Sequence, residues 1–180
     1  MRSFSSLAAL LVVSAFACAA SAQNSSPNAF SEAADFVAQK ERDSKIGESA
    51  LAPIRSASDL NAYLSSRKTS PLSALSDRSR KIFVENLVFT EHGLASYRFR
   101  ELESELTPRQ AFELLSLFGV QKTVGYLRFE QASAEEREAV AKLAPIFFED
   151  HKGYRCVPPA TCQASMDNIC IGANCGMYPP

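Results

Sequence analysis

The sequence predicts a mostly α-helical domain closed by an irregular, Pro-containing C-terminal segment that disulfides staple. Three observations predict it. Thr107–Gly119 carries a helix marked at both ends, and Ser133 with Glu136 marks the start of another. Four cysteines fall within Cys156–Cys175, where apolar side chains are few and charges almost absent.

Taken in order, residues 1–22 read as a secretion signal. Arg2 supplies a short positive region, Leu7–Ala20 is an apolar run broken only by Ser14, and Ala20-Ser21-Ala22 is a small-x-small cleavage site. The run is too short to favour a spanning helix. A lipid-modified Cys18 is the minor alternative, although Ala15 and Phe16 fit that signal poorly. Cleavage after Ala22 leaves a chain of one domain's size beginning at Gln23 and reduces five cysteines to an even four in an oxidising compartment. The expectation is a secreted or periplasmic protein. With 19 basic and 20 acidic residues, nothing points to nucleic acid or an anionic membrane as partner, and no later run is long enough to cross a bilayer.

Residues 23–29 read as a flexible leader, 30–150 as the helical domain and 151–180 as the Cys-rich segment. Ser31 caps a short helix over Glu32–Glu41, with Ala33, Ala34 and Val37 on one face, and Lys40–Lys45 is a solvated, mixed-charge exit. Ser56 or Ser58 caps a second helix in which Leu60, Tyr63 and Leu64 share a face. Ser70-Pro71 restarts the helix with Leu72 and Leu75 apolar. Ser65–Lys81 is basic, with Arg67, Lys68, Arg78, Arg80 and Lys81 against Asp77. It reads as a solvated surface balanced by the acids of 101–105 and 130–138. Asp77–Thr90 reads as a buried helix ended by Gly93. The alternative there is a short hairpin near 87–99, because Val88–Thr90 is β-prone and Ala95, Tyr97 and Phe99 alternate with polar residues.

Phe99, Leu102 and Leu106 return to helical spacing. In Thr107–Gly119, Thr107 is the N-cap, Pro108 suits the first turn, Gln110 completes a capping box and Gly119 stops the helix. Ala111, Leu114, Leu115 and Phe118 form its stripe, which Phe112 widens. Val120–Gln131 is either a strand or an irregular crossing. Beyond the box at Ser133, Val140, Leu143, Ala144 and Phe147 face inward, Glu138 and Lys142 pair along the helix, and Pro145 kinks it.

The tail has the spacing Cys156-x5-Cys162-x7-Cys170-x4-Cys175. Two disulfides are predicted, with all three pairings open. A zinc site is the weaker alternative, since only Cys170 and Cys175 form a close pair. No catalytic, cofactor-binding or metal-binding residue is predicted. His92 and His151 have no local nucleophile signature beside them, and the alternate acids Glu101, Glu103 and Glu105 read as solvated charges, since alternate residues on a helix point to different faces. By exclusion, the expected function is non-enzymatic: a binding, inhibitory or accessory protein with a protein partner. Tyr154, Met166, Met177 and Tyr178 are the candidate contacts on the stapled tail. The alternatives are a precursor of a disulfide-rich C-terminal peptide and a hydrolase using His92 or His151.

Overall fold

The structure is a computed structural model that describes residues 27–66, 69–143, 149–157 and 159–176. The targeting signal with Cys18, the basic pair Arg67 and Lys68, the kink at Pro145, and Met177 and Tyr178 lie outside the described residues.

Helices α1 (Pro27–Leu51), α2 (Ala57–Ser66) and α3 (Asp77–Glu85) come first, with a 3-10 turn at Pro71–Ala74 between α2 and α3. A hairpin follows, β1 (Val88–Thr90) and β2 (Gly93–Arg98), and then α4 (Arg100–Glu105) and α5 (Pro108–Ser116). A 3-10 turn at Gln121–Tyr126 leads to α6 (Ala134–Leu143). The chain ends in β3 (Asp150–Val157), β4 (Thr161–Ile171) and the single turn α7 (Gly172–Cys175). The four strands form one antiparallel sheet in the order β1-β2-β4-β3.

That sheet overturns the mostly α expectation; the fold is α+β. Two segments account for the difference. The helix expected over Asp77–Thr90 stops at Glu85, where the Asn86 side-chain amide donates to the Ile82 carbonyl and its backbone N–H to Phe83. The chain then forms the hairpin that was the alternative reading. Gly93 supplies the positive φ of the turn, and Phe89 pairs with Leu94. The tail, expected to be irregular, holds the two longest strands. In β4, Ile169 and Ile171 enter the main core, while Cys170 joins Ala95, Cys156 and Cys175 in a separate small cluster. A strand buried on both faces shows no polar alternation, so Ile169-Cys170-Ile171 carries no periodic signal.

The main core gathers around Tyr97, with the Phe83 ring 6.1 Å from it and the Phe118 ring 6.2 Å from Phe83. The Tyr97 hydroxyl lies 2.7 Å from Thr123 Oγ1, which itself donates to the Val120 carbonyl, so the tyrosine must be the donor. Burial pushes its phenol well above the ordinary value. Helix α5 has the capping box its sequence spells: Gln110 N–H donates to Thr107 Oγ1, and Thr107 N–H to Gln110 Oε1. Ala111, Leu114, Leu115 and Phe118 are buried as expected, but Phe112 is 37% exposed and lines an open cavity between α5 and α6. Gly119, at φ +70°, closes the helix. A Cβ there would stand 2.5 Å from the Glu48 carbonyl oxygen, so Gly119 is also where α1 lies against the body.

The second capping box, Ser133 with Glu136, and the Glu138–Lys142 pair are both in place on α6. Ser56 caps α2 and Ser70 the first 3-10 turn. Val120–Gln131 is the irregular alternative, a 3-10 turn and then extended chain.

Two of the basic residues of Ser65–Lys81 have local partners. Arg80 pairs with Asp77 and Lys81 with Glu85 on the same helix. Glu105 instead accepts from Ser79 and from both the amide and the hydroxyl of Ser76, and bonds to its carboxylate, chiefly from Ser79, hold its carboxyl below the ordinary value.

Candidate functional site

The cysteines resolve to Cys156–Cys175 and Cys162–Cys170, the nested member of the three pairings. Their placement follows from a fold in the hairpin. Cys162 and Cys170 lie on one strand eight residues apart, which in extended chain spans about 26 Å. Their Cα atoms are 5.8 Å apart. Gly153 takes φ +86°, and β4 runs from Ala164 to Ile169 while β3 advances only from Tyr154 to Lys152. The hairpin therefore doubles back, bringing its tip (Cys156 and Cys162) over its base (Cys170 and Cys175). Each disulfide joins tip to base. This is order that the few apolar residues of the tail could not supply alone.

The excess chain at the fold forms a bulge over Ser165–Asp167, where Met166 alone is fully exposed; Asn168 behind it is buried opposite Arg98. Its conformation is fixed from several directions. The Asp167 carbonyl accepts from Phe99 N–H at 2.7 Å, and the Asn168 side-chain amide donates to Ser165 Oγ and to the Met166 carbonyl. The Asp167 carboxylate, on the one non-glycine residue with positive φ among those described, pairs with Arg98 and Arg100 at 3.5 Å each. Arg98 also contacts Glu101, at 3.1 Å. On this clamped loop the Met166 side chain is 87% exposed. Tyr154, opposite Ala164 in the register, is also exposed, with its ring edge-on to His151 at 5.8 Å. Two of the four candidate contacts are thus displayed on the stapled hairpin.

The histidines are far less suggestive of chemistry. His92 is an exposed turn residue with Nε2 3.6 Å from Glu91. His151 lies within β3 opposite Cys170, and its Nε2 is buried with no hydrogen-bond partner. Among the described residues, neither imidazole is bonded to a serine hydroxyl. The three glutamates of α4 are spent on separate contacts. Glu101 meets Arg98, Glu103 takes Lys152 Nζ at 2.6 Å and the Arg128 amide, and Glu105 holds the start of α3.

One cluster escaped sequence reasoning. Helix α1 runs through the charged stretch expected to be a solvated exit; Lys40, Asp43 and Ser44 are exposed there as expected, but Lys45 is buried and Arg42 half-buried. Lys45 meets Asp150 at 3.1 Å, with side chains 10% and 2% exposed, and Arg42 meets Glu149 at 2.8 Å. Glu48 takes Lys122 and Gln121, and Asn174 donates to Ser49 Oγ and the Leu94 carbonyl. Burial, with the Asp150 and Glu149 charges adding, raises the Tyr126 phenol beside this seam. Meanwhile Phe36, Val37, Ile46 and Leu51 face solvent. The available signal was the run Glu149-Asp150, two acids at the head of an otherwise nearly neutral tail.

Comparison with protein-family models, with curated proteins and with solved structures finds no match to this chain.

Proposed function

We propose that the protein is a secreted or periplasmic, non-enzymatic binding, inhibitory or accessory module that docks a protein partner through the stapled hairpin. The observation that carries this reading is Met166, a large apolar side chain held almost fully in solvent by a loop that is bonded and ion-paired on every side. A side chain presented on an already ordered loop loses little entropy on binding, and exposed Met and Tyr are common interface anchors. Met177 and Tyr178, the other two candidate contacts, follow α7 in the sequence and lie outside the described residues.

The support for the compartment is the pair of disulfides, which form and persist where conditions are oxidising. Among the described residues no helix is long and apolar enough to cross a membrane. Signal cleavage after Ala22 belongs to this proposal, and an intact mass that does not begin at Gln23 would remove it. Retention of the tail is supported by β4, which lies between β2 and β3 and contributes Ile169 and Ile171 to the main core.

The test leaves all four cysteines in place. Tyr154→Ala with Met166→Asp should keep the wild-type melting temperature and weaken partner capture at least about tenfold, the equivalent of ~1.4 kcal/mol. Crosslinking in the native secretion, read by quantitative mass spectrometry, measures it. Equal capture by wild type and variant would remove the hairpin as the docking face.

A further inference from the structure

The two disulfides are not independent staples. The sulfurs of Cys156, Cys170 and Cys175 all lie within 4.8 Å of one another, so Cys170 Sγ rests against the Cys156–Cys175 bond. Accessibility differs around this cluster. Cys156, Cys170 and Cys175 are buried, and Cys162 alone is partly exposed. Thiol–disulfide exchange needs a thiolate to reach a sulfur, so an external thiol can enter the cluster only at Cys162.

We propose that the tail is a two-electron redox latch in which Cys170 passes reduction from the exposed disulfide to the buried one and so frees the hairpin tip from both staples at once. An external thiolate attacks Cys162 Sγ, forming a mixed disulfide and expelling Cys170 as thiolate. Cys170 Sγ then attacks the neighbouring Cys175 Sγ. The Cys170–Cys175 bond forms, the Cys156–Cys175 bond breaks, and Cys156 leaves as a thiolate that takes a proton from water. A second thiol of the reductant resolves the mixed disulfide, releasing Cys162 as a thiol and leaving the reductant oxidised. One disulfide has been reduced by two electrons; the other has only exchanged partners.

The consequence comes from which residues are tip and which are base. Both native bonds join tip to base. The exchanged bond joins Cys170 to Cys175, base to base, and both cysteines of the tip become thiols. Independent staples would need four electrons for the same release. The tip strand segments pair at Cys156↔Cys162 and adjoin Tyr154, so releasing them alters the exposed side of the hairpin.

The experiment uses the intact oxidised protein with one molar equivalent of dithiothreitol under native conditions. Aliquots are quenched with acid, alkylated with N-ethylmaleimide and mapped by peptide mass spectrometry, beside a sample treated in denaturant. The expected single-disulfide product carries Cys170–Cys175, with Cys156 and Cys162 alkylated, and lacks the Cys162–Cys156 and Cys162–Cys175 pairs that appear in denaturant. Intact Cys156–Cys175 with only Cys162 and Cys170 alkylated would overturn the proposal, as would Cys156–Cys170 or the denaturant-like mixture. In the double variant Cys162→Ser, Cys170→Ser, the remaining Cys156–Cys175 bond should be reduced at least tenfold more slowly than the same bond is lost in wild type. Equal rates would show direct attack on the buried disulfide.

Discussion

Asp150→Ala should lower the unfolding free energy by about 3–5 kcal/mol, because it leaves the Lys45 ammonium buried against the body without its counter-charge. The geometry that demands this is the 3.1 Å contact between two side chains almost wholly removed from water. The effect belongs to the broken pair rather than to the pair's net worth. Replacing both partners by apolar residues, Lys45→Met with Asp150→Leu, should therefore recover most of the loss. Urea denaturation of the two variants measures it. An Asp150→Ala protein within 1 kcal/mol of wild type would mean that α1 lifts readily and lets Lys45 back into water. Exposed pairs such as Arg109–Glu113 offer the contrast, with removal costing about 0–1 kcal/mol at most.

Leu115→Ala should cost about 2–5 kcal/mol, the usual range for a leucine truncated where neighbours cannot collapse into the space. Leu115 is fully buried in the main core, in the same apolar stripe as Leu114 and Phe118. Phe112→Ala on the same helix should cost only roughly 1–2 kcal/mol, since over a third of that residue already meets solvent and less area is lost from the core. Melting of the two variants side by side checks the ranking. A Phe112 variant less stable than the Leu115 variant would reverse the assignment of inner and outer faces on α5.

The contrast between those two residues marks how far local pattern reading reaches. Caps are local chemistry, and Thr107 with Gln110, Ser133 with Glu136, and Ser70 before Pro71 were all legible because donor and acceptor lie within three residues. The four helical spacings on α5 were equally legible, but whether Phe112 meets a neighbour or a cavity depends on where α6 comes to rest. The hairpin at β1 and β2 was ambiguous because Val88–Thr90 is too short for any period to declare itself. The α1 seam was illegible for a different reason. Lys45 and Asp150 are over a hundred residues apart, and charged residues by default stay in water. Of the candidate contacts, Tyr154 and Met166 were singled out on composition alone, and both are exposed. The clamp that displays Met166 depends on Phe99, Arg98 and Arg100, which reach it only across the sheet.

The strand order has a further meaning when the chain is considered as something made from one end. β2 finds β1 at once, but its other edge waits for β4, which is separated from it by α4, α5 and α6. Until Thr161–Ile171 has emerged, β2 presents an unpaired row of amides and carbonyls beside a half-built core. The helical elements can form early, since their bonds are local, whereas the sheet must be closed last by a long-range insertion. Oxidation then has a natural order, because Cys162–Cys170 must await Cys170 and Cys156–Cys175 must await Cys175. A growing chain of this protein is thus most exposed to misassociation just before its final strand arrives.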